Sequence, residues 1–200
     1  MAFEGIKYNT KGPVKTYAET GHELSIESVQ VCGQKVTFMS FLTAFTQNFT
    51  SNWSSEEVYG RIDPIGTFQG NKRTISLTWD VPAGTIAEAK NNIKLFSALF
   101  KMIYPSYVSS DNALTLAKSP LVRIKYANLI STGTGTGLLG WISSISWNPV
   151  LEMGMFQDIA GKNLYPKVVS LSLEFNVLHE GGMGWQKNEW DGGKQFPFKG

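Results

Sequence analysis

Residues 72–82 read KRTISLTWDVP and residues 166–178 read PKVVSLSLEFNVL. In the first, Arg73, Ile75, Leu77, Trp79 and Val81 alternate with Lys72, Thr74, Ser76, Thr78 and Asp80. In the second, Val169, Leu171, Leu173, Phe175 and Val177 alternate with Ser170, Ser172, Glu174 and Asn176. A period of two with one apolar and one polar side is the pattern of an antiparallel strand lying on a core with its other face wet. A slip of one residue would turn the whole apolar set outward, so both registers are firm.

Working outward, residues 35–50 (KVTFMSFLTAFTQNFT) predict one long strand. Met39, Phe41, Phe45 and Phe49 fall on one parity, and Val36, Phe38 and Leu42 make the other side partly buried. A short strand is expected near Leu24–Val31, and two more at 121–130 and 138–148. The last two are joined by Ser131-Thr-Gly-Thr-Gly-Thr-Gly137, whose Gly133, Gly135 and Gly137 lack the lysine and the following helix of a phosphate cradle. That run reads as a mobile hairpin tip with no side chain able to pack. One helix is predicted over 85–103. Thr85 and Glu88 make a capping box, and Ile86, Ala89, Ile93, Phe96, Phe100 and Ile103 form an apolar stripe. Pro82 precedes this helix and Pro105 ends it.

The 200 residues are 42% hydrophobic and 17% charged, against a usual charged share of about 25%. That excludes a disordered solvating chain and fits a surface partly covered by other subunits. Eighteen basic and 16 acidic residues leave a net charge of +2, too balanced to mark a nucleic-acid-binding surface. Lys90, Lys94 and Lys101, opposite the helical stripe, read as a solvated face or one that meets an acidic partner. The opening MAFEGIKYNTKG lacks the pattern of a secretory signal, and no run of about 18 apolar residues exists to predict a membrane-spanning helix. The chain is therefore expected to be soluble and intracellular when made, which makes the glycosylation patterns at 48–50 and 52–54 chance matches.

Candidate chemistry is sparse. Cys32 is the sole cysteine and His22 and His179 the sole histidines, so disulfide frameworks, cysteine-cluster metal sites and triads lack raw material. Glu56 and Glu57 read as a solvated turn, Asp63-Pro64 as a turn opener, and His179 beside Glu180 as a polar strand end. No catalytic, cofactor-binding or metal-binding residue is assigned, and the expectation is a protein that is not an enzyme.

Three regions follow from these patterns: an arm with a short strand at 1–34, a β domain at 35–180, and an arm at 181–200 rich in glycine and aromatics. The last carries Trp185, Trp190, Phe196 and Phe198 without regular period. Such a segment either folds back over its own domain or docks in a groove on a neighbour, and its aromatic content favours docking over a free tail.

The runs at 56–65 (EEVYGRIDPI) and 72–82, Tyr104-Pro105, the strand at 137–147 (GLLGWISSISW), and Leu164-Tyr-Pro-Lys167 leading to 175–180 (FNVLHE) carry a resemblance. Over residues 35–180 the chain resembles tail-tube-initiator and baseplate-hub proteins of contractile-tailed bacteriophages. The resemblance implies a mainly β, tail-tube-like antiparallel sandwich or barrel with one flanking helix. It also implies a six-fold ring of copies of itself, with tail tube protein and baseplate hub proteins as neighbours and DNA passing transiently through the lumen. No membrane binding is expected; the place is the virion tail or baseplate, assembled in the host cytoplasm. Gly133, Gly135, Gly137, Trp185, Trp190, Phe196 and Phe198 are the expected subunit-interface residues. Within the same resemblance the runner-up is a main tail tube or tail terminator subunit. Outside it stands a carbohydrate-binding β-sandwich using Trp141, Trp147 or Trp190 as stacking platforms.

Overall fold

The computed structural model describes residues 6–7, 23–31, 33–39, 41–109, 112–132, 136–158, 161–181, 183–187, 189–190 and 196–197. Among them the chain is mainly antiparallel β with one α-helix, as the alternation predicts. The elements in order are β1 (Ile6–Lys7), β2 (Glu23–Ser28), β3 (Lys35–Met39), β4 (Phe41–Glu56), β5 (Ile65–Pro82), α1 (Ile86–Lys101), β6 (Ser106–Ser109) and β7 (Asn112–Lys118). There follow β8 (Val122–Tyr126), β9 (Leu138–Pro149), β10 (Met155–Asp158), β11 (Asn163–Pro166), β12 (Val168–Val177), β13 (Trp185–Gln186) and β14 (Glu189–Trp190).

Eight strands form one sheet in the order β1-β3-β2-β8-β9-β12-β5-β4. Only residue 40 separates β3 from β4, so opposite sides of that order are successive stretches of one strand path and the sheet rolls back on itself. Phe38 of β3 duly meets Trp79 of β5, with ring centroids 5.7 Å apart. The two segments that decided the fold are neighbours: β12 pairs with β5 so that Leu171 faces Trp79, Leu173 faces Leu77 and Phe175 faces Ile75. Both predicted apolar rows are buried along their whole length. Each Val, Leu, Ile and Phe side chain among them stabilises the fold by roughly 1.5–3 kcal/mol through the apolar surface it removes from water.

Thr85 caps α1, its hydroxyl accepting the Glu88 N–H at 3.2 Å. The Glu88 carboxylate reaches back to the N–H of Gly84 at 2.8 Å, one residue beyond the expected return bond. The buried side of the helix is Ala89, Leu95, Phe96 and Leu99, with Met102 just past its end. Ile86, Ile93, Phe100 and Ile103 are only half-buried, so the stripe is rotated from the expected one. Packing sets that rotation, since Phe96 stacks on Phe38 at 6.1 Å and draws Leu95 and Leu99 inward with it. Lys90 binds Asp158 at 2.6 Å and ties the helix to the β10–β11 hairpin. It is thus a latch: of the two readings of this face, solvated or meeting an acidic partner, Lys90 meets an acid, here one of its own chain.

Three further expectations need correction. The strand predicted over 35–50 is two strands with different neighbours: β3 pairs with β2, and β4 with β5. A register shift between Leu42 and Ala44 then moves the inward row from even to odd positions. Phe41 pairs with Asp80 on the outer face, while Phe45 pairs with Leu77 on the inner one. Strand 121–130 ends at Tyr126, because Ala127 turns into positive φ (45°) and Ile130 bonds back to Tyr126. The connector between β8 and β9, expected to lack packing side chains, is cinched at its ends: the hydroxyls of Thr132 and Thr136 lie 2.6 Å apart, and the Thr132 N–H donates to Thr136 O at 2.7 Å.

Candidate interaction site at the root of the long hairpin

Strands β4 and β5 form a hairpin longer than the rolled sheet that holds it. β12 covers β5 only from Thr74 to Pro82, and β4 pairs with β5 alone, so beyond Arg73 the hairpin has both backbone edges unpaired among the described residues. The same stretch is exposed on both faces. Trp53 and Phe68 touch edge to face at 5.3 Å yet remain 62% and 50% exposed. At the turn joining the strands Tyr59 and Ile62 are fully exposed, and Glu56, Glu57 and Asp63 stand against the single cation Arg61.

Arg73 sits where the covered half of β5 gives way to the bare half. The alternation points it inward in line with Ile75, Leu77 and Trp79, and it is 1% exposed. Gln47, on the paired strand, accepts from its Nε at 3.2 Å and its Nη2 at 2.8 Å. The Gln47 amide is oriented by its other end, which donates to Leu129 O at 3.2 Å. Phe49, directly opposite Arg73 in the pairing, lies under the guanidinium at 5.2 Å, and Phe196 lies 5.6 Å away. Rings at such distances attract a cation through their negative faces. No carboxylate pairs with Arg73 among the described residues. Loss of water lowers its pKa to about 10, so it remains charged at neutral pH.

A cavity of about 710 Å³ opens beside this charge. Its walls include Phe68, Lys72, His179, Met183 and Trp185, and no acidic residue lines it among those described. Burial, and after it the charge of Arg73, hold the His179 pKa below its ordinary value, so the imidazole is kept neutral. Glu180, next in sequence, turns away to Arg123, with Oε2 accepting from Nη1 at 2.7 Å. That pairing holds the Glu180 carboxyl below its usual range and raises the Arg123 pKa. His179 and Glu180 therefore serve different contacts. The chemistry such an arrangement offers is recognition of an anion with an apolar body: the guanidinium supplies the charge and aromatic walls supply the contact area.

The expected interface residues divide. Trp190 packs on Phe196 at 5.3 Å and Trp185 on Trp190 at 5.5 Å, so part of the C-terminal arm folds back over Arg73 while Trp185 stays 74% exposed. Gly137 lies against β8, where a Cβ would stand 2.9 Å from Ile124 O. Gly133, Gly135 and Phe198, like Cys32 and His22, lie outside the described residues. Trp141 and Trp147 do not make one stacking platform. A register shift at Glu174/Phe175 puts them on opposite faces of the sheet, Trp141 paired with Asn176 and Trp147 with Leu171. In the sequence Arg73 stands in an otherwise apolar row, and the alternation alone names no partner for its charge. The signal was present: an arginine at an inward position beside an outward lysine.

No protein-family model matches the chain, and no curated protein matches it. Among solved structures it is similar to a chain in the cryo-EM structure of the anti-feeding prophage (AFP) baseplate, 6-fold symmetrised, at 11% identity and a TM-score of 0.31. That similarity spans 78% of this chain and 89% of the other. At this level the likeness assigns neither fold nor function.

Proposed function

We propose that the chain is a structural virion protein that assembles as a ring in the baseplate or hub of a contractile tail. There it starts tail-tube assembly and lines the channel through which DNA passes. The reading rests on the outer half of the β4–β5 hairpin. A two-stranded ribbon that buries neither face is marginal by itself, and bare strand edges with exposed aromatics are a liability in a monomer. Both features become assets once neighbouring copies cover them, and identical contacts repeated head to tail close into a ring. The protein needs no reaction chemistry for this task; its work is to present a surface.

The test is a hairpin truncation. Replacing residues 51–70 by an Asn-Gly turn removes the bare ribbon and leaves the buried part of both strands. The full chain should form rings visible by electron microscopy and by native mass spectrometry, with six copies in each. The truncated chain should keep its thermal transition but sediment as a monomer. A full chain that stays monomeric at high concentration overturns the proposal, as does a truncated chain that assembles equally well. Copy number in a purified particle separates the initiator from its rivals: one ring for an initiator or terminator, many stacked rings for a main tube subunit.

A further inference from the structure

We infer that the cavity beside Arg73 is the socket for the hairpin tip of a second copy of this chain, with a tip carboxylate, Glu57 or Asp63, paired to the Arg73 guanidinium. The inference rests on the ring reading and adds the contact that closes it.

Charge is the first argument. Arg73 is withdrawn from water without a carboxylate partner among the described residues, and a buried guanidinium left so is costly unless an anion completes it. Lys72 adds a second positive charge at the rim, with no acidic residue among the described walls. The tip is complementary, since Glu56, Glu57 and Asp63 outnumber Arg61. Apolar surface is the second argument. Tyr59 and Ile62 lie between Glu57 and Asp63 and are bare, while the socket offers Phe68, Met183 and Trp185. An acid carried beside apolar side chains fits an arginine set among aromatic rings, and such pairings of buried aromatic and arginine anchors dominate interface energies.

Reach is the third. From Arg73 to the turn β5 runs eight further residues, Ile65 to Lys72, or roughly 26 Å of extended strand at about 3.3 Å per residue. A compact chain of 200 residues is roughly 40 Å across, so a tip leaving one copy covers more than half the distance to the equivalent root of the next. Within one chain the tip lies at the far end of the same hairpin and has no path to its own root. The contact is thus between copies, different on its two sides, and repeats around a ring.

Crosslinking tests this directly. In a Cys32→Ser background, Tyr59→Cys on the tip and Lys72→Cys at the socket rim are combined, and the protein is oxidised with diamide. The combined variant should give a ladder of covalent oligomers on a denaturing gel, ending at the ring's copy number. Each single variant should give at most dimers. Adding Glu57→Lys and Asp63→Lys, both on an exposed turn and harmless to folding, should reduce the ladder at least about tenfold. Arg73→Met should do the same while the chain still folds; should that variant not fold, the tip variants decide alone. Rings seen by microscopy without a ladder overturn the socket and leave the ring standing. Absence of both ladder and rings overturns the two together. A ladder that survives the tip charge reversals overturns the carboxylate–guanidinium pairing.

Discussion

The two halves of β5 share one strand and one partner, yet they obey different rules. From Arg73 to Val81 every second side chain is buried, and β12 and β4 flank the strand. From Ile65 to Lys72 the alternation stops, two glycines intervene, and almost everything is exposed. Backbone pairing with β4 is therefore enough to shape a strand here, but only the presence of a second layer selects which side chains stand on which face. The inner half is specified by its own core, whereas the outer half carries a surface whose counterpart lies elsewhere.

The same residue type placed in each half gives the largest test of this contrast. Trp79 is wholly buried between strands and Phe38, so Trp79→Ala should cost about 3–5 kcal/mol in urea denaturation. Trp53 meets Phe68 and donates to the Ser51 hydroxyl at 2.9 Å on the bare ribbon but stays 62% exposed, so Trp53→Ala should cost less than about 1 kcal/mol. Comparable losses at the two positions would mean that the outer ribbon packs on its own chain after all.

Glycines sharpen the point at a smaller scale. A Cβ on Gly140 of β9 would stand 2.0 Å from Asn176 O and 2.6 Å from the Phe175 ring, so Gly140→Ala must push two strands apart. A loss of about 1–3 kcal/mol in thermal or chemical denaturation is expected. On the outer half, a Cβ on Gly66 would meet Trp53 at 3.6 Å, an ordinary contact. Gly66→Ala should leave stability within about 0.5 kcal/mol of the parent. If Gly140→Ala is silent, the close approach of β9 to β12 is not what holds that position to glycine.

What could be read in the sequence follows the same division. The rows at 73–81 and 169–177 were legible because burial on one face imposes a period of two, and the helix because its cap and proline limits are local. The bulge at Leu42/Ala44 was not legible: it depends on which strand lies opposite, and it reassigns Phe41 and Phe45 to different faces. The rotation of α1 was hidden for the same reason, since Phe38 decides it from another element. The site at Arg73 was half legible. Position and charge stand in the sequence, but Gln47, Phe49, His179 and Phe196 meet there only through the fold. The return of Phe196 and Trp190 over Arg73 had no periodic signature; both were expected at a subunit interface, with folding back as the alternative.

The smallest expected effect is a dependence on pH, and it locates the boundary between the two halves. His179 lies beside Arg73, and both burial and that neighbouring charge hold its pKa below 6.5 in the folded chain. An unfolded chain would take up the proton near 6.5, so between 6.5 and the lowered value the unfolded state binds more protons than the folded one. Stability is then fully present above pH 6.5 and declines as pH falls below it. The carboxylates Asp158 and Glu180, held low chiefly by their hydrogen bonds to Lys90 and Arg123, act in a separate window. Their contribution is kept above the ordinary carboxylate range and is lost only on further acidification. Thermal midpoints taken from pH 8 to 5 should therefore fall gently in the parent and stay flatter in His179→Gln. An unchanged slope in His179→Gln would show that the imidazole is solvated, and so that the root of the hairpin lies open in the free chain.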